Sequence, residues 1–142
     1  MNRNISYLIL AAAGLALAGC NQAESPRQVQ QDVAEAQAEG QRDVTEAQNE
    51  ARDAMVEAHE DVIDAQQNDD MDSVADSARD ASETAAEGDF KVAVARAEAT
   101  HRIATEKCEA LQGEAQDDCK QRADAELENA KRAAEARRDG AG

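Results

Sequence analysis

Residues 107–120 read Lys-Cys-Glu-Ala-Leu-Gln-Gly-Glu-Ala-Gln-Asp-Asp-Cys-Lys, with Cys108 and Cys119 on either side of Gly113. On a straight helix two residues eleven apart are separated by about 16 Å. A disulfide needs Cα atoms roughly 4.4–6.8 Å apart. The thiols therefore either bridge neighbouring chains along one continuous helix, or the chain reverses between them. Gly113 stands near the midpoint, where a helix end favours a left-handed glycine. Folding the chain between 113 and 114 sets Cys108 opposite Cys119, Ala104 opposite Ala123 and Ala97 opposite Ala130.

Both arms carry stripes that such a fold would bury. Upstream, Phe90, Val94, Ala97, His101, Ala104, Cys108 and Leu111 alternate by four and three residues; downstream, Cys119, Ala123, Leu127, Ala130, Ala134 and Arg137 follow the same helical period. The expectation is an antiparallel helical hairpin over 89–138 closed by a Cys108–Cys119 disulfide, with the turn at Gly113 and a disordered tail over 139–142. His101 falls opposite Glu126 in this register, which predicts a hydrogen bond on the seam.

Further upstream, Asp32-Val33-Ala34-Glu35-Ala36-Gln37 recurs as Asp43-Val44-Thr45-Glu46-Ala47-Gln48 and as Asp61-Val62-Ile63-Asp64-Ala65-Gln66. The acid-Ala-polar triplets step by eleven, eleven and seven residues, and both periods are whole helical turns. Small or apolar positions at 33, 36, 40, 44, 47, 51, 54, 58, 62 and 65 form one face of one long helix. Ser25 at the cap, Pro26 at the first helical position and Gln28 three residues after the cap make a Ser-x-x-Gln capping box. The helix is expected over 26–67, with Gly40 on its apolar face read either as a place for close approach of a partner or, by preference, as a weak point. With nothing else to cover that stripe, it predicts self-association along 33–65, or an envelope protein partner. Residues 68–88, with a thin stripe of Val74, Ala78, Ala81 and Ala85, read as an acidic linker or weak helix, and Gly88-Asp89 as the boundary.

The expected fold is all-α: a long, coiled-coil-like helix followed by a disulfide-closed hairpin, with no globular core. Composition agrees. The 142 residues are 32% charged and 1% aromatic, and beyond residue 20 fifteen Val, Ile, Leu, Met or Phe stand beside twenty-eight Ala. Backbone ordering costs roughly 1–2 kcal/mol per residue, so so few large apolar side chains exclude a conventional globular enzyme. A formal net charge of −16 disfavours nucleic acid as a partner. Nor does any small-molecule, metal or cofactor signature survive inspection. His59-Glu60 lacks a second His at position 63, and the acidic run from Asn68 has Ser73 where a calcium loop needs Gly. No catalytic residue is expected.

The first residues give an address. Met1-Asn2-Arg3-Asn4 is positively charged, residues 5–17 carry no charge, and Leu17-Ala18-Gly19-Cys20 follows. Thirteen residues are too few for a span of about 20 but suit a secretory signal. Leu-Ala-Gly-Cys resembles the bacterial lipobox. That resemblance implies removal of 1–19 by cleavage between Gly19 and Cys20, diacylglycerol on the Cys20 thiol, an acyl chain on its amine, and a tether over 20–25. Several acyl chains hold a protein stably on a bilayer. Asn21, rather than Asp, after the lipidated Cys implies the periplasmic face of the outer membrane. An even pair of thiols suits that oxidising compartment.

Two wider resemblances follow. The Lys-Cys-acid-x-Leu-x-Gly-x5-Cys pattern of 107–119 resembles a group of Ala-rich proteobacterial envelope proteins, a likeness that brings no activity with it. The layout of lipobox and helical rod is similar to the Braun-type outer-membrane lipoprotein, but this sequence ends Arg137-Arg138-Asp139-Gly140-Ala141-Gly142, without the terminal Lys used for attachment to peptidoglycan. The implied role is structural or interactive. The eleven-residue repeats also resemble those of late-embryogenesis-abundant proteins, which implies the alternative of a stress-protective, conditionally helical polyelectrolyte.

Overall fold

Pro26 starts the first helix because its fixed φ suits the first turn and its missing N–H costs nothing there. The computed structural model describes residues 23–68 and 71–141, and three α-helices account for nearly all of them: α1 (Pro26–Gln67), α2 (Met71–Cys108) and α3 (Glu114–Ala141). The Ser25 hydroxyl accepts from the Gln28 backbone N–H at 3.3 Å. At the far end the Asn68 side chain donates to the Asp64 carbonyl, and its N–H turns back on Ala65.

The fold is all-helical, with a long helix, a disulfide-closed hairpin and no globular core. One part departs from expectation. Of the two readings of residues 71–88, helix holds and linker does not, but the boundary expected at Gly88-Asp89 is not there. These residues run without a break through Gly88-Asp89 into the hairpin arm, making α2 a single 38-residue helix. Its seam includes Ser77 and Thr84, both half-buried, and leaves Ala78 exposed. Short hydroxyl side chains fill seam positions that look polar in sequence. Residues 139–141, expected in a disordered tail, are the last residues of α3.

The helices form a single layer, up, down and up. α2 packs against α1 on one side and α3 on the other, while α1 and α3 do not touch. The stripe at 33–65 that seemed to need a second molecule is therefore covered by α2 of the same chain: Ala36, Gly40 and Ala65 are buried on it. Of the two readings of Gly40, close approach holds and the weak point does not. A Cβ there would lie 2.6 Å from Ala99 Cβ, and one on Gly88 would lie 2.9 Å from Ala51 Cβ. Gly40 and Ala51 are eleven apart on α1, as are Gly88 and Ala99 on α2. The eleven-residue spacing is thus the register of the antiparallel pair.

Gly40→Ala and Gly88→Ala test this packing. Ala is favoured over Gly inside a helix by about 1 kcal/mol, but overpacking a close contact costs typically 1–3 kcal/mol. Each substitution should lower the thermal midpoint followed by circular dichroism, and Ala99→Gly should restore it in the Gly40→Ala background. A raised midpoint in either single variant would contradict the close approach.

Candidate functional site

The most densely connected part of the molecule is the disulfide-closed end. Cys108 is the last residue of α2 and fully buried (0% exposed), and it is bonded to Cys119 in the first turns of α3 with Cα atoms 5.7 Å apart. The chain between them closes by short turns: Glu109 N–H to Glu106, Ala110 to Lys107 and Leu111 to Cys108. Gly113 has φ +56°, a left-handed conformation cheap only for glycine. Its role differs from the expected helix stop. α2 ends five residues earlier, and the Gly113 carbonyl instead accepts the N–H groups of Gln116 and Asp117, opening α3.

Glu109 joins three segments. Its carboxylate accepts from Gln116 Nε2 at 2.7 Å and from Lys120 Nζ at 2.6 Å. Its carbonyl accepts the Glu24 N–H at 2.9 Å, which fastens the residues before α1 to the α2–α3 turn. Gln116 is buried, so its pairing with Glu109 satisfies a group that would otherwise be costly to leave unpaired. The hydrogen bond that Lys120 donates to Glu109 raises its pKa above the ordinary lysine value, and the bond that Lys131 donates to Glu98 does the same there.

Glu24 is less well placed. Its Oε2 is buried without a hydrogen-bond partner. Desolvation, then Asp32, and then the Glu109 and Glu106 carboxylates push its pKa above the ordinary 4.5.

Further along the hairpin, cross-helix pairs bracket the midpoint between Gly113 and Glu114: Glu98 with Lys131 at 2.8 Å and His101 Nε2 with Asp124 Oδ1 at 2.7 Å. His101 thus meets Asp124 rather than Glu126. Arg138, not Arg137, closes the seam: its guanidinium lies 4.6 Å from the Phe90 ring centroid. Leu111 lies in the turn and is exposed. On the other side of α2, Arg102 bridges Glu39 and Asp43 of α1.

Ser25 and Gln28 stand at the cap of α1, beside this end. Gly19 and Cys20 lie outside the described residues. Among the described residues no cluster of metal-ligating side chains occurs, and no helix is long and apolar enough to cross a membrane. Glu109 and Gln116 were missed in the sequence because each reads as an ordinary polar surface residue; only the reversal brings them together. No protein-family model matches the chain, and neither a curated protein nor a solved structure is detectably similar to it.

Two outcomes follow from this geometry. Replacing both cysteines with Ser should cost about 3 kcal/mol in the chain-entropy account of so short a loop, measured by denaturant unfolding, and on a denaturing gel without reducing agent the oxidised protein should show no disulfide-linked dimer. The second outcome concerns pH. A carboxyl whose pKa is raised by folding takes up a proton on folding, so its contribution turns favourable as pH falls through the folded-state value and is complete below 4.5. Glu24→Gln should therefore stabilise the protein at neutral pH, and its advantage over the parent should shrink as the pH is lowered through that range. An advantage independent of pH would contradict the assignment.

Proposed function

We propose that this chain is a lipid-anchored protein of the bacterial envelope with a structural or interaction role and no catalysis, held on the periplasmic face of the outer membrane by acyl chains on Cys20. The observation that carries the reading is the Glu24–Glu109 backbone hydrogen bond, which ties the residues just after the lipobox to the disulfide-closed end. Four residues span at most about 14 Å, so a lipid on Cys20 would sit at this end. α1 then runs about 63 Å away from it at 1.5 Å per residue. A rod fastened at its base suits a protein that spaces or presents.

The eleven-residue repeats favour this reading over the conditionally helical polyelectrolyte. Their spacing recurs in Gly40 and Ala51 of α1, which meet Ala99 and Gly88 of α2, a use that needs a folded helix pair. Circular dichroism of the protein in dilute buffer should show strong helicity lost in a cooperative melt; a coil spectrum would return the alternative to first place. The anchor is tested in cells. The parent chain should fractionate with the outer membrane, and Cys20→Ser should accumulate as an uncleaved precursor. Mature, soluble protein of normal size from that variant would overturn the lipoprotein reading.

A further inference from the structure

A single layer of helices has two broad faces, and here they differ sharply in charge. With 100° per residue, all eleven acidic residues of α1 fall within an arc of about 100°. Arg102 of α2 reaches into that arc to meet Glu39 and Asp43, and Lys120 and Lys131 of α3 pair with Glu109 and Glu98 toward the same side. One face is therefore acidic and laced by ion pairs.

The opposite face is nearly free of acid. Grooves run along both seams of α2, and they share Arg96 and Thr100 as their common floor. On the α1 side the wall is Gln37, Gln41, Val44 and Thr45. On the α3 side it is Ala123, Leu127, Ala130 and Ala133. Asp89 and Glu126 are the only carboxylates among the residues that line these grooves, while Arg52, Arg96 and Arg137 lie on this face and form no ion pair among the described residues. The same flank of α1 continues past the end of α3 with Val56, 54% exposed, and Ile63, 40% exposed.

We propose that this acid-poor face is an interface between two copies of the chain, stacked face to face into a two-layer, six-helix assembly. Charge decides the occupant and the face. A molecule with a net charge of −16 can approach its own copy only where its carboxylates are absent, because like charges brought together on a desolvated surface are costly. Asp89 and Glu126 against unpaired Arg96 and Arg137 give each copy both signs, as a self-complementary two-fold contact requires. Size agrees as well. α3 extends about 42 Å, and three helices spaced 8–10 Å apart give a face about 25 Å wide. That is on the order of 1,000 Å² per copy, above the roughly 800 Å² per partner of a standard stable interface. A second layer would also provide the core that one layer lacks. This surface is distinct from the 33–65 stripe already occupied by α2, and it stands whether or not Cys20 carries lipid.

The test is site-specific photocrosslinking of the full chain in cells, with two differently tagged copies and benzoylphenylalanine in place of one residue at a time. Gln41 and Ala130 on the acid-poor face should give an adduct of twice the monomer mass carrying both tags. Asn49 and Ala125, exposed on the outer sides of α1 and α3, should not. Ala130→Glu should reduce the Gln41 adduct at least tenfold, whereas Ala125→Glu should leave it unchanged, with circular dichroism showing equal helicity for both. The proposal is overturned if Gln41 and Ala130 yield no double-tagged adduct, capture only lipid or another protein, or crosslink no better than Asn49 and Ala125.

Discussion

Ala99 Cβ and Ala51 Cβ press so closely on Gly40 and Gly88 that neither glycine has room for a side chain. The rest of the molecule depends on that approach. A seam made mostly of methyl groups buries little area per residue, and at about 25 cal/mol per Å² it holds only if the helices come near enough for backbone atoms to add dispersion contacts. Small residues a matched step of eleven apart allow this at two points of the α1–α2 pair, Gly40 against Ala99 and Ala51 against Gly88. Once α1 is fixed on α2, its N-terminus arrives at the α2–α3 turn, where Glu109 receives the Glu24 N–H. The start of α1 is thereby tied to the α2–α3 turn at one end of the layer.

Electrostatics sets the limits within which that packing works. The acids of α1 lie away from α2, so the helix pair is not forced apart by the charge that dominates its composition. Positive counter-charges come mostly from elsewhere in the chain: Arg102 from α2 for Glu39 and Asp43, and Lys120, Lys131 and Arg138 from α3 for Glu109, Glu98 and Glu87. These pairs are at least partly exposed, where each contributes at most about 1 kcal/mol. Their larger effect is on register, since they tolerate little sliding of one helix along another.

The hairpin was legible in the sequence because its signals are discrete. Two cysteines and a central glycine fix a reversal, and the stripes can be tested against it residue by residue. The second reversal, between α1 and α2, has no such marker, and the stripe beyond it reads as too thin to pack because Ser77 and Thr84 count as polar. Their hydroxyls are nonetheless short enough to sit against an Ala face. Gly88 misled for a related reason. A glycine beside an acid reads as a break, whereas here it is the point where α1 comes closest. Periodicity establishes that a face must be covered but does not say by what, so the sequence leaves open that α2 is the partner of α1. At the disulfide-closed end, the cap of Ser25 was legible from local spacing. The convergence of Glu24, Glu109 and Gln116 was not, because it arises only after two chain reversals.

The layer is also unequal along its length. Near the disulfide it is three helices wide; beyond Glu87, where Arg138 marks the end of α3, only α1 and α2 continue. Residues 50–89 hold fourteen acids and two arginines, so the two-helix part is also the part whose charge is least compensated from within. The acids there among the described residues are exposed to water, where screening operates over about 10 Å at moderate ionic strength. The bases on α3 are thus confined to the half of the molecule that the disulfide also stiffens. Rigidity and charge balance are concentrated at the base, and the distal half is left as a thin, strongly acidic pair whose cohesion rests on the methyl-to-backbone contacts of its seam.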